Sequence, residues 1–244
     1  MVNLLYMELL KLKRSHMFLI SIFGASAAPF ISFIASLTKK AKLPYSPLQI
    51  DEFFSETHLY CVLLIGVPLY GVIAAYLFHR EYAEGTLKNL LTIPVSRMGL
   101  ILSKWALLAL WIMALTLISC GWTYIFGLVG PFEGWSTNLL VESFNQFVTS
   151  GILLWLLTPP MILVTYLFKS YVTTIVFTII ITMVNLMIFG TEYSALFPWS
   201  AVQVIATSSF FPEYPPTYSY LTIMATSFIG FFTTLVYFNK ADIH

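Results

Sequence analysis

Charged side chains are scarce. Only 12 Lys and Arg and 11 Asp and Glu occur among 244 residues, 9% of the chain, whereas a soluble domain carries about 25%. The formal charge of +1 provides no basic surface for nucleic acid, and no low-complexity run supports disorder, a coiled coil or a collagen-like fibre. Cysteine is almost missing. Cys61 and Cys120, both within apolar runs, offer neither a disulfide framework nor a CxxC redox or zinc site, and both read as buried free thiols. No glycine is followed by Lys, so the G-x-x-x-x-G-K-[ST] phosphate cradle is absent. HExxH is also missing, and the two aspartates, Asp51 and Asp242, fall in a loop and the tail. These gaps argue against an enzyme, a resident metal or a cofactor in this chain. His16, His58, His79 and His244 fall at the ends of apolar runs or in the tail and are expected to be membrane-edge residues.

What the chain has is hydrophobic length, with 59% apolar residues. A helix needs about 20 such residues to cross a hydrocarbon core roughly 30 Å thick. Six charge-free windows qualify: Ser15 to Thr38, Thr57 to His79, Trp105 to Phe132, Ser143 to Phe168, Ser170 to Thr191 and Tyr214 to Asn239. The expected fold is an all-α integral membrane protein, a single transmembrane domain over 1–244 with spans at about 17–37, 57–78, 105–130, 146–168, 171–190 and 217–238. A seventh window, Tyr193 to Pro212, is rich in Ser, Thr and Gln and contains Pro198. From Pro198, the residues Trp199, Val202 and Ile205 recur opposite Ser200, Gln203 and Thr207, which predicts a re-entrant or interfacial helix of about 11 residues with Pro in its first turn. It belongs to an exterior connection over 191–216.

Lys and Arg collect in cytoplasmic loops near spans. Six spans put Lys11, Lys13, Arg14, Arg80, Lys88, Arg97, Lys104, Lys169 and Lys240 on one face and Lys39, Lys40 and Lys42 on the other, so both termini are expected inside. Ala25-Ser26-Ala27 resembles a signal cleavage site, but the apolar run continues through Leu37, longer than a signal core; it reads as a retained first span. Before it, Leu5, Leu9 and Leu12 share one helical face, with Glu8, Lys11 and Ser15 on another. That pattern predicts a cytoplasmic interfacial helix over residues 1–16.

The windows hold no Asp, Glu, Lys or Arg, which argues against a proton- or sodium-coupled carrier, since such a carrier normally buries an ionisable residue near the midplane. They do hold hydroxyl stripes: Thr174, Thr178, Thr182 and Asn185 in the fifth, and Thr222, Thr226, Gly230 and Thr233 in the sixth. Each stripe covers one helix face and is either close helix packing or a transport path. Thr158-Pro159-Pro160 predicts a kink in the fourth span. A path without charge suits amphipathic or lipid-like molecules. Trp135, Tyr193, Trp199, Tyr214, Tyr218 and Tyr220 near the outer surface fit such ligands or ordinary interfacial anchoring.

The longest cytoplasmic connection, residues 79–104, is a short helix with punctuation. Gly85 interrupts the second span, Leu87, Leu90 and Leu91 form an apolar stripe, Pro94 stops the helix, and Ser96 can cap the next. From the residues alone it is either a hairpin lying on anionic lipid or a docking knob for a soluble partner. The run Glu81, Glu84-Gly85-Thr86-Leu87-Lys88-Asn89-Leu90-Leu91-Thr92-Ile93-Pro94-Val95-Ser96-Arg97, then Ser103-Lys104, resembles the first cytoplasmic loop of type-2 ABC exporter permeases. Its wording is most like the bacitracin and lantibiotic self-protection group. The resemblance implies a permease subunit in a bacterial plasma membrane that exports amphipathic peptide antibiotics. It implies that Glu81, Glu84, Gly85, Thr86, Leu87, Lys88, Leu90, Leu91, Pro94 and Arg97 couple to a separate ATPase subunit, which would hold the ATP and Mg. A second six-span permease, identical or paralogous, would complete the assembly. Export of another hydrophobic drug or lipid, or a membrane sensor or assembly factor, are the alternatives.

Overall fold

The computed structural model describes residues 2–13, 16–43, 45–83 and 97–240. They form an all-α bundle in which six helical stretches are long and apolar enough to cross a membrane: Met17–Lys42, Ile50–Arg80, Met98–Val129, Thr137–Phe168, Tyr171–Ile188 and Pro216–Phe238. The protein is a multi-pass membrane protein.

A helix α1 (Val2–Lys13) precedes span one, α2 (Met17–Lys42). Span two is composite. α3 (Ile50–Leu59) passes into a π-helical segment, Tyr60–Gly66, and continues as α4 (Val67–Ala83). The helix thus begins at Ile50, before the charge-free window, because Asp51 and Glu52 occupy its first turn, where acids favour the positive end of the helix dipole. Span three is α5 (Arg97–Val129). Span four is broken into α6 (Thr137–Leu156) and α7 (Pro159–Phe168) at the Thr158-Pro159-Pro160 step, since Pro lacks the donor needed to continue the ladder. Span five is α8 (Tyr171–Ile188) and span six is α10 (Pro216–Lys240), with a 3₁₀ turn at Glu192–Ala195 and α9 (Pro198–Ala206) between them.

Strands β1 (Leu48–Gln49) and β2 (Phe132–Glu133) pair in parallel. They tie the connection after span one to the connection after span three over a small aromatic core containing Ile50, Phe53, Phe54 and Phe132. Two-residue strands carry no sequence periodicity, so this ladder has no signature in the chain. The main core is built on span two, the most buried of the six. α2 lies along α5, fixed by Trp111 Nε1 donating to Ser21 Oγ at 3.0 Å and Ser119 Oγ donating to the Ala25 carbonyl at 2.6 Å. α4 lies along α8, and α7 along α10.

Two faces differ from the sequence expectation. On α1, Glu8 is buried while Tyr6, Met7, Leu9 and Leu10 are exposed, so the helix turns its acid toward the bundle and its apolar side chains outward. In a membrane protein, outward apolar groups meet lipid. On α9, the polar face is not open to water: Ser200 and Gln203 are buried together with Trp199, Val202 and Ile205. Surrounded by α6, α10 and the π-helical segment, the whole helix is an internal element. Ser200 Oγ donates to the carbonyls of Ser194 and Phe197, both at 3.0 Å.

Candidate functional site

The fifth-span stripe is gathered on the face of α8 that meets α4 and α7. Thr174 and Thr178 have no exposed surface, and Thr182 is buried. Thr174 Oγ1 and Thr165 Oγ1 of α7 lie 2.8 Å apart, Thr178 Oγ1 donates to the Ile175 carbonyl at 2.8 Å and Thr182 Oγ1 to the Thr178 carbonyl at 2.9 Å. These hydroxyls are satisfied within the protein, the arrangement that lets polar groups sit in close-packed membrane interfaces. The approach is tight at Gly71, where a Cβ would collide with Thr178 Cγ2. Glycine at position 71 is therefore what allows α4 and α8 to touch.

Asn185 differs from its neighbours. It is fully buried, yet among the described residues neither its Oδ1 nor its Nδ2 finds a hydrogen-bond partner. A buried amide of this kind costs about 1–3 kcal/mol of desolvation.

The sixth-span stripe does not form one buried face. The buried row of α10 is Ser219, Ile223, Ser227, Gly230 and Thr234. Thr222 and Thr226 lie half-buried at its margin and Thr233 is exposed. The reason is the seat of α10 on α7 at Gly230, where a Cβ would come within 2.8 Å of the Pro160 backbone nitrogen; this contact fixes the rotation of the helix. Next to it, the indoles of Trp105 and Trp155 stack with centroids 4.3 Å apart. Trp105 Nε1 donates to Thr158 Oγ1 at 3.1 Å, and Trp155 Nε1 to the Trp105 carbonyl at 3.1 Å. The break in span four is thus a bonded joint between spans three, four and six.

The sequence alone puts His58 at a membrane edge and leaves the spans without an ionisable residue. In the structure the helix of span two starts at Ile50, and His58 lies more than two turns along it, packed inside the bundle. His58 is 1% exposed. Its Nε2 lies 2.7 Å from Ser150 Oγ and 3.2 Å from the Gln146 carbonyl on α6, and among the described residues its Nδ1 has no partner. It lines a cavity of about 20 Å³ with Cys61, Tyr70, Thr116, Ser119 and Ser150, large enough for roughly one water. The π-helical segment borders this cavity, and such segments concentrate at functional positions. The signal available in the chain is His58 itself, i,i+3 from Cys61, together with helix-favouring acids upstream. Both cysteines are free, Cys120 buried and Cys61 partly so.

Of the residues assigned to coupling, Glu81 lies on the last turn of α4 and Arg97 opens α5; Glu84, Gly85, Thr86, Leu87, Lys88, Leu90, Leu91 and Pro94 lie outside the described residues. Lys104, expected with the loop cations, is instead buried. Its Nζ donates to the Leu77 carbonyl at 2.7 Å and stands 5.8 Å from the Phe78 ring centroid, so the ammonium holds the ends of spans two and three together.

Two comparisons bear on this arrangement. The family described as ABC-2 family transporter protein matches residues 4–185. The bacitracin transport permease protein BCRB of Bacillus licheniformis is 62% identical over 208 residues, 85% of this chain and 100% of that protein. With six helices able to cross a membrane and a family match over most of them, the chain belongs to the ABC-2 family of transporter permeases.

Proposed function

We propose that this chain is the permease subunit of an ATP-driven exporter that clears bacitracin-type peptide antibiotics from the membrane or cell. The observation that carries this reading is the 62% identity, spanning the full length of a bacitracin transport permease. The absence of Asp, Glu, Lys and Arg from the six apolar windows supports it, since such a path suits an amphipathic cargo better than an ion or a sugar.

ATP and Mg belong in this reading to a separate ATPase subunit, engaged by residues 81–97 through the stripe Leu87, Leu90 and Leu91. A second six-span permease completes the pathway, and both termini face the cytoplasm, as the distribution of Lys and Arg supports. Thr174, Thr178 and Thr182 serve packing, in keeping with their bonds inside the bundle. Asn185 is the residue of that row assigned to transport, because its amide is buried without a partner among the described residues.

The test is the double substitution Leu90→Asp and Leu91→Asp. A docking helix that carries them would bury unpaired charge, a penalty of several kcal/mol. The permease is expected at normal abundance in the membrane, with the ATPase lost on co-purification and resistance to bacitracin abolished. Unchanged ATPase recovery per permease would defeat the assignment.

A further inference from the structure

The π-helical turn of span two borders a small cavity whose polar lining comes from three spans. His58 of α3 and Tyr70 of α4 stand on either side of that turn, Thr116 and Ser119 come from α5, and Ser150 comes from α6. Apolar side chains, among them Ala25, Val62, Leu69 and Phe147, complete the wall.

Each hydroxyl has one proton to donate, so the direction of every hydrogen bond around this cavity follows from its neighbours. Ser119 Oγ gives its proton to the Ala25 carbonyl at 2.6 Å. Thr116 Oγ1 donates to the Ile112 carbonyl at 2.9 Å. The Tyr70 hydroxyl, 2.9 Å from Thr116 Oγ1, must therefore be the donor of that pair. Ser150 Oγ donates to the Gln146 carbonyl at 2.8 Å. His58 Nε2 lies 2.7 Å from the same Oγ and 3.2 Å from the same carbonyl, so Nε2 is the protonated ring nitrogen. No acid stands among the lining residues; a ring cation would be buried without compensation, and the imidazole is neutral. Its Nδ1 is then a bare acceptor, enclosed and without a partner among the described residues. All five polar groups have only lone pairs left to offer. Cys61, also in the wall, adds a thiol, which is a weak donor.

We infer that this cavity is a single-water site, its occupant donating one O–H to His58 Nδ1 and the other to a hydroxyl oxygen of α4 or α5. A wall of acceptors calls for a ligand with two donors, and a volume of about 20 Å³ admits one molecule of the size of water. Sodium or ammonium would also meet lone pairs, but neither would find a carboxylate there to offset its charge. The water joins α3, ahead of the π-helical turn, to the elements after and beside it, so that the turn is bridged from outside its own backbone ladder.

The permease, labelled with ¹⁵N-histidine and assembled with unlabelled partner subunits in lipid bilayers, is read by solid-state NMR. Replacing His16, His79 and His244 by Gln leaves His58 as the sole labelled ring. Its Nδ1 is expected to resonate as an unprotonated nitrogen and to receive magnetisation from water. Ala25→Val brings two further methyl groups to the wall and leaves every hydrogen-bonding side chain in place; it should abolish that transfer while Nε2 stays protonated. A protonated Nδ1, or transfer to Nδ1 from lipid acyl chains and none from water, would overturn the inference. So would an Nδ1 signal that moves when sodium is exchanged for choline, which would make the occupant an ion. Water transfer undiminished by Ala25→Val would also overturn it, because the water would then reach the ring from elsewhere.

Discussion

Asn185 presents the sharpest question at the scale of one residue. A buried amide without a partner destabilises the fold, and its replacement by an apolar group of similar shape is neutral or stabilising. Asn185→Leu is therefore expected to leave melting temperature and abundance unchanged or improved, and to lower bacitracin resistance. Asn185→Ser, which keeps a donor and acceptor, should retain more resistance. Equal transport by both variants would show that the amide is idle. Gly71 makes the opposite case, since every ångström is occupied. A methyl group added at position 71 would overlap Thr178 Cγ2, so Gly71→Ala must push α4 from α8 and is expected to cost about 1–3 kcal/mol, as overpacking usually does. Thr178→Ser removes that methyl while keeping the hydroxyl that bonds Ile175. Combined with Gly71→Ala it should restore most of the stability measured by thermal unfolding in detergent; additive losses would show that the two helices do not meet there.

Helices break or change pitch where local chemistry demands it, and only some of that chemistry is visible in letters. The Pro159-Pro160 pair announces the joint in span four, and Pro198 announces the start of α9. The widened turn at Tyr60–Gly66 has no such mark, because the run Tyr-Cys-Val-Leu-Leu-Ile-Gly reads as unbroken apolar helix and the π-helical pitch depends on neighbours around the His58 cavity. Hydropathy also says little about where the helix of span two begins. It registers where the lipid begins, whereas the helix begins where Asp51 and Glu52 can meet the dipole, and this offset hides His58. The sixth-span stripe departs from the buried row for a related reason: the 4-4-3 spacing it shares with span five fixes which residues share a face, while the Gly230–Pro160 contact decides which face is buried. The joint in span four can be tested through Thr158, whose hydroxyl donates to the Trp155 carbonyl at 2.7 Å and accepts from Trp105. Thr158→Val keeps the shape and strands the indole N–H. A loss of about 0.6–1.7 kcal/mol is expected, the range for interhelical hydrogen bonds in membranes, with a shift in Trp105 fluorescence.

Across the whole molecule, the parallel ladder between β1 and β2 constrains topology independently of charge. Leu48 pairs with Phe132 and Gln49 with Glu133, so the connections around Tyr45 and Ser136 must lie on the same side of the membrane. The orientation proposed from the Lys and Arg count adds which side, with these connections outside and residues 79–104 inside. A protein with Cys61 and Cys120 replaced by Ala separates the two statements. Cysteines introduced singly at Tyr45, which is fully exposed, and at exposed Ser136 are expected to react with a membrane-impermeant maleimide on intact cells. One at Ser96 should react only after permeabilisation. If Tyr45 and Ser136 disagree, the ladder and the pairing of spans one to four are wrong. If they agree but are closed to the reagent while Ser96 is open, the fold stands and the orientation is reversed. That second result would remove residues 81–97 from any cytoplasmic ATPase, because the loop that must touch it would be on the far side of the membrane.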